Sequence, residues 1–139
     1  GWAIGSEAAA ERMRRVRDVV DGIGPVPTER LSVLAFEQLD KLSDRARGIV
    51  EMNVNTFKVW AAGVKRLTLP APVTSSVVFP RVAGVADTRE LAGALQREHD
   101  VAVVPGSFFG EPANIRISLA GRPDVLREGL SRLANFLRG

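Results

Sequence analysis

Apolar residues recur at helical spacing through the first half of the chain and give way to strand-like alternation in the second. Ala9, Met13, Val16 and Val20 share one side of a segment that Ser6 can cap, which predicts a helix running to about Val20. Arg12, Arg14, Arg15 and Arg17 lie on its outer side, and Glu11–Arg15, Arg14–Asp18 and Arg17–Asp21 are i,i+4 pairs that offset this charge locally. Gly22, Gly24, Pro25 and Pro27 then break the chain. Thr28 is expected to cap a second helix with Leu31, Leu34, Ala35, Gln38, Leu39 and Leu42 on one side. Ser43 and Asp44 read as the cap and first turn of a long helix to about Val64, roughly 33 Å in length. Its stripe is Ala46, Ile49, Val50, Asn53, Phe57, Trp60, Ala61 and Val64, with Asn53 at the edge.

The pattern changes after Pro70 and Pro72, which mark a linker. Thr74 to Phe79 reads as a strand stopped by Pro80. Asp87 and Glu90 have the spacing of a capping box ahead of a helix to about Glu98, and His99-Asp100 reads as its C-terminal cap. Val101-Ala102-Val103-Val104 is a fully apolar strand closed by Pro105-Gly106. From Asn114 to Leu119 the alternation is strict: Ile115, Ile117 and Leu119 share one face, and Asn114, Arg116 and Ser118 the other. Pro123 opens a last helix carrying Leu126, Leu130, Leu133 and Leu137 inward. The order β-α-β-β-α predicts an α+β fold, a small mixed or antiparallel sheet with helices packed on it. Gly1-Trp2-Ala3-Ile4-Gly5 reads as the tail of a short strand before the first helix.

Length and composition narrow the chemistry. The 139 residues, 45% hydrophobic and 25% charged, suit a chain that buries one core. No apolar run approaches the ~20 residues that span a bilayer, so no membrane association is expected. Cysteine is absent, which removes thiolate metal sites and a thiol nucleophile, and the cytoplasm is the expected compartment. A single histidine, His99, leaves no basis for a multi-histidine metal site. The 19 basic and 16 acidic residues give a net charge of +3. The pI of about 10.2 follows from the lack of Cys and Tyr, which leaves little to titrate between His and Lys. With its arginines paired along the first helix, the chain is not expected to bind nucleic acid.

Candidate chemistry is sparse. Gly22-Ile23-Gly24 begins no helix and lacks the third glycine of a dinucleotide-binding turn, so it reads as a loop. No glycine-rich stretch leads into Lys-Ser or Lys-Thr, and Ser75, Ser76 and Ser107 have no evident base. The loop Pro105-Gly106-Ser107-Phe108-Phe109-Gly110 stands out, with two adjacent aromatics between glycines. Arg116 follows on a strand, pointing away from the apolar face. Its fork suits bidentate capture of a carboxylate or phosphate, and an ordinary ion pair, for instance to Glu111, fits the spacing equally well.

These residues resemble a known family. Asp100-Val101-Ala102-Val103-Val104-Pro105-Gly106-Ser107-Phe108-Phe109-Gly110, followed by Asn114-Ile115-Arg116-Ile117-Ser118, is similar to the C-terminal region of class I/II aminotransferases, pyridoxal-phosphate enzymes of fold type I. Gly1-Trp2-Ala3-Ile4-Gly5 is similar to the family's segment just after its phosphate-binding arginine, and the long helix from Ser43 to the one leading into the small domain. The resemblance implies that residues 1–42 finish the large cofactor-binding domain and 43–139 form the small domain. It implies that Arg116 binds the substrate's α-carboxylate, with Phe108 and Phe109 as pocket wall, so that the Cα–H bond is held across the cofactor ring.

The family's Schiff-base lysine, its phosphate-binding arginine and its pyridinium-nitrogen aspartate all belong upstream of this segment. Lys41, Lys58 and Lys65 sit in no matching motif, so the chain is expected to be a fragment or truncated product without catalytic or cofactor-binding residues of its own. The implied whole is a homodimeric transaminase passing an amino group between an α-amino acid and a 2-oxo acid. Another fold type I lyase or decarboxylase, or the non-catalytic aminotransferase-like domain of a transcription regulator, is the alternative.

Overall fold

The computed structural model describes residues 3–22 and 24–138, and the chain divides into two compact units, Gly1–Leu42 and Ser43–Gly139. In the first, helix α1 (Glu7–Val20) starts where Ser6 turns extended and its hydroxyl accepts the Ala9 N–H at 3.3 Å. Glu11 pairs with Arg14 and Arg15, and Arg14 reaches on to Asp18. The expected Arg17–Asp21 ion pair does not form; Asp21 ends the helix instead through its backbone N–H to the Arg17 carbonyl. Helix α2 (Val26–Glu37) begins three residues earlier than expected, and Thr28 is not its cap. Pro27 occupies the first turn, where a missing N–H costs nothing. Of the strand expected at residues 1–5, Gly1 and Trp2 lie outside the described residues and Ala3 to Gly5 are in no strand; Ile23 of the predicted loop also lies outside them.

Neither helix of the first unit buries a residue. Val16, Val20, Leu31 and Leu34 are 60%, 74%, 66% and 58% exposed, so the apolar stripes foreseen here face no core among the described residues.

Helix α3 spans Leu39–Ala62, and Ser43 and Asp44 lie inside it rather than starting it. The amide of Leu42 already bonds to the Gln38 carbonyl, so no free N–H groups await a cap at Ser43. The helix ends two residues short of Val64 in a turn at Gly63. Asn53, Val54, Phe57 and Ala61 form its buried face. Asn53, expected at the edge of that stripe, is completely buried and donates from Nδ2 to the carbonyls of Leu119 and Gly121, at 2.7 and 2.8 Å.

The second unit holds two small antiparallel sheets. β1 (Leu67–Thr68) pairs with β3 (Arg81–Val82), while β2 (Val77–Val78), β5 (Ile115–Ser118) and β4 (Val104–Pro105) form a three-stranded sheet in the order β2-β5-β4. The register sets Val78 opposite Ile117 and Val104 opposite Arg116. The strand expected over 74–79 shrinks to Val77–Val78, and of the one expected over 101–104 only Val104 pairs, together with Pro105, the residue expected to close it. Both lie at the sheet's edges, where only the stretch facing β5 finds ladder partners. β1 and β3 fall where no strand was expected.

β5 keeps the predicted alternation: Ile115 and Leu119 are fully buried and Ile117 nearly so, while Arg116 and Ser118 face outward. Helix α4 (Arg89–His99) packs against α5 (Pro123–Arg138). The foreseen capping box is absent, since the Asp87 carboxylate takes the Arg89 N–H and guanidinium, and Thr88 stands at the cap position. Asp100 closes α4 in the left-handed conformation (φ 54°), as its place in the sequence predicts. The core gathers Phe57, Leu95, Ile115, Leu119 and Leu133 between α3, α4, α5 and the sheet.

Candidate functional site

Two of the residues singled out from sequence, Phe109 and Arg116, come together around the start of β5. Three backbone segments meet at Thr88, whose hydroxyl donates to the Asn114 carbonyl (2.6 Å) and accepts from the Gly106 N–H (3.2 Å). The Gly106 N–H also reaches the Asn114 carbonyl at 2.8 Å. Gly106 must be glycine here, since a Cβ would collide with the backbone carbonyl oxygens of Glu111 and Asn114. From this point the chain makes one 3-10 turn, Gly106–Phe109, closed by Gly110 at φ 79°. The Asn114 side chain donates to the Phe79 carbonyl at 3.1 Å and so secures the segment after β2.

This framework places Phe109 and Arg116 together. The Arg116 guanidinium lies over the Phe109 ring, 5.6 Å from its centroid, and that ring meets Phe79 edge-on at 5.7 Å. Among the described residues Arg116 has no acidic partner, Glu111 included. Phe108 is 73% exposed and Phe109 50%. Arg116 thus presents a cation to solvent beside an aromatic face, with its hydrogen-bond donors free for an anion.

The other sequence candidates do not join this cluster. Ser107 Oγ is buried with no hydrogen-bond partner, so no base activates it. His99 packs edge-on against Phe136, and its carbonyl accepts a bond from Arg132. Lys41, Lys58 and Lys65 are exposed, and none lies in an ion pair or hydrogen bond among the described residues. No three acidic or histidine side chains come together as a metal site among the described residues, and no helix is long and apolar enough to cross a membrane. A largely apolar groove of about 660 Å³, lined by Val101, Val103, Leu126, Leu130 and Leu133 among others, does not include Arg116, Phe108 or Phe109.

Sequence reasoning found Arg116 and both phenylalanines but missed Phe79 and Thr88. Phe79 stood at the end of a predicted strand, and only its adjacency to Pro80 distinguished it. Thr88 sat next to the proposed cap residue, and a buried Thr at that position was the available signal.

The fold matches the C-terminal part of known aminotransferase structures. The chain belongs to the family aminotransferase class I and II, whose profile matches residues 1–133. It is 27% identical to the aspartate aminotransferase of Bacillus subtilis over 99% of this chain and 37% of the relative, and 27% identical to the capreomycidine synthase of Streptomyces vinaceus over 99% and 36%. It superimposes on a PLP-dependent aminotransferase from Streptococcus suis with a TM-score of 0.88 and 25% identity, covering 99% of this chain and 37% of that one. The match lies in the C-terminal part of the fold. The chain thus spans a little over a third of the length of these relatives.

Proposed function

We propose that the chain supplies the carboxylate-binding side of a pyridoxal-phosphate-dependent aminotransferase, with Arg116 as the group that grips the substrate. The supporting observation is the free, exposed guanidinium of Arg116 standing over an aromatic ring with no acidic partner. An arginine fork binds a carboxylate through two parallel N–H donors, which fixes the bound amino acid in orientation as well as in place. Phe108 and Phe109 form the pocket wall beside it. The substrates are an α-amino acid and a 2-oxo acid, and the working enzyme is a cytoplasmic homodimer.

Residues 1–42 complete the large cofactor-binding domain of the full-length protein and residues 43–139 form its small domain. The unburied stripes of α1 and α2 support this division, because they are the faces a neighbouring domain would cover.

Pyridoxal phosphate supplies the electron sink for such chemistry. The three lysines, Lys41, Lys58 and Lys65, are exposed and sit in no motif that would carry it. The Schiff-base lysine therefore belongs to another part of the full-length protein, and this chain alone is inactive. The equal likeness to capreomycidine synthase favours a second reading, in which the same clamp serves a different reaction on an amino acid.

The test is turnover by the full-length holoenzyme. Arg116→Lys keeps the charge but loses the paired planar donors, and kcat/KM for α-amino acids should fall roughly ten- to a hundredfold. Amines without a carboxylate should be little affected. Undiminished amino-acid turnover by the variant would make Arg116 structural. A product other than the 2-oxo acid would favour the second reading.

A further inference from the structure

Phe109 invites a closer look because it is neither core nor plain surface. Its ring has one edge contact, to Phe79, and one face contact, to Arg116. Edge-to-face contacts between aromatics fix ring orientation, because the positive rim of one ring meets the negative face of the other. The backbone behind both rings is pinned: Asn114 Nδ2 holds the Phe79 carbonyl, and the Gly106–Thr88–Asn114 hydrogen bonds hold the turn that carries Phe109. Arg116 lies two residues beyond Asn114 on β5, so one short segment anchors all three side chains.

An exposed arginine otherwise samples many rotamers, and ordering it costs binding free energy each time an anion arrives. Among the described residues no carboxylate holds Arg116 still. The Phe109 ring is the remaining restraint. A guanidinium lying on a π face keeps its edge N–H groups free, whereas an ion pair would occupy them.

We propose that Phe109, braced by Phe79, is a positioning residue for Arg116 that holds the guanidinium ready for a carboxylate before the substrate arrives. The proposal rests on the reading of Arg116 as the carboxylate clamp. It assigns Phe109 a task distinct from walling the pocket: a wall touches every substrate, whereas a positioning ring matters only to ligands that use Arg116.

The experiment uses the full-length holoenzyme with Phe109→Leu, Phe109→Tyr, Arg116→Lys and the double variant Phe109→Leu/Arg116→Lys. Each is assayed with an α-amino acid and with a carboxylate-free amine, and thermal melting confirms folding. Phe109 is half exposed, so the leucine variant should melt close to the parent. Loss of an exposed cation–π restraint should lower kcat/KM for the amino acid by roughly two- to fivefold, mostly through KM, with a clearly smaller loss for the amine, which meets Phe109 only as wall. Phe109→Tyr keeps the ring face and should restore the parent value. In the Arg116→Lys background, Phe109→Leu should cost less than it does alone.

Equal losses for the amine and the amino acid would overturn the proposal and leave Phe109 a pocket wall. A full effect of Phe109→Leu in the Arg116→Lys background would overturn it too, as would failure of the tyrosine to restore activity. If Arg116→Lys itself leaves amino-acid turnover unchanged, the clamp reading has failed. If that variant is impaired while Phe109→Leu is not, the clamp stands and the positioning role has failed. Should Phe109→Leu melt early, Phe79→Leu is the substitute, with the same selectivity for carboxylate substrates expected.

Discussion

The side-chain amide of Asn53 reaches the Leu119 carbonyl at 2.7 Å, joining the middle of α3 to the end of β5 across 66 residues of chain. Its second hydrogen goes to the Gly121 carbonyl at 2.8 Å, so one side chain ties down the turn between β5 and α5. A buried amide that spends both donors on backbone carbonyls fixes register in a way no apolar side chain would.

Asn53→Ala should therefore destabilise the second unit by about 2–3 kcal/mol, because it strips the Leu119 carbonyl of a donor in a dry setting. Urea unfolding followed by circular dichroism measures this. A shift under about 0.5 kcal/mol, the size expected of a surface change, would show that the carbonyls find other donors.

Gly106→Ala should be more damaging than an ordinary glycine substitution. The added methyl would sit against the carbonyls of Glu111 and Asn114, both backbone atoms that cannot swing aside. Strain of this kind costs about 1–3 kcal/mol, and the same denaturation measurement reads it. Gly121→Ala meets nothing within 4 Å and serves as the control, with a change of a few tenths of a kcal/mol expected.

Amide exchange should separate the two units. Backbone N–H groups of α1 and α2, on helices that bury no residue, should exchange far faster than those of Phe57 in α3 or Ile117 in β5. Equal protection in both would show that α1 and α2 share a cooperative core with the rest.

Acid should weaken the Glu11 pairing on α1. The hydrogen bonds from Arg14, and then Arg15, hold the Glu11 carboxyl below its usual range. A group whose folded pKa is depressed stabilises the fold above its unfolded value, and the benefit disappears as the pH falls through the depressed value. Glu11 should thus titrate below an ordinary glutamate by NMR. Added salt should move it back toward that value, because the pair is exposed.

The parts of the fold legible in the sequence were those with a sustained period. The segment from Asn114 to Leu119, which contains β5, alternates over six residues, so the burial of Ile115, Ile117 and Leu119 and the outward placement of Arg116 could be read directly. The leucines of α5 and the left-handed Asp100 followed from spacing and capping for the same reason. Two-residue ladders such as β1 and β3 are too short to carry a period, and their partners lie more than a dozen residues away. Helix starts at Val26 and Leu39 went astray because Thr28 and Ser43 resemble caps in composition. Whether a cap is used depends on which amides are still free. At the site, Arg116 and Phe109 were each visible. Their stacking was not, because residues on a turn and a strand seven positions apart meet only through the pairing of β4 with β5.

The Phe109 turn takes its shape from backbone hydrogen bonds and from Thr88, with no contribution from the side chains of Phe108 or Glu111. Those two positions are therefore open to substitution without moving the cation. If Arg116 is the carboxylate clamp proposed above, variants randomised at 108 should change the wall beside the bound substrate while the grip on its carboxylate stays constant. Such a loop lets substrate preference drift on a fixed frame, and it is a natural place to begin altering selectivity by directed evolution.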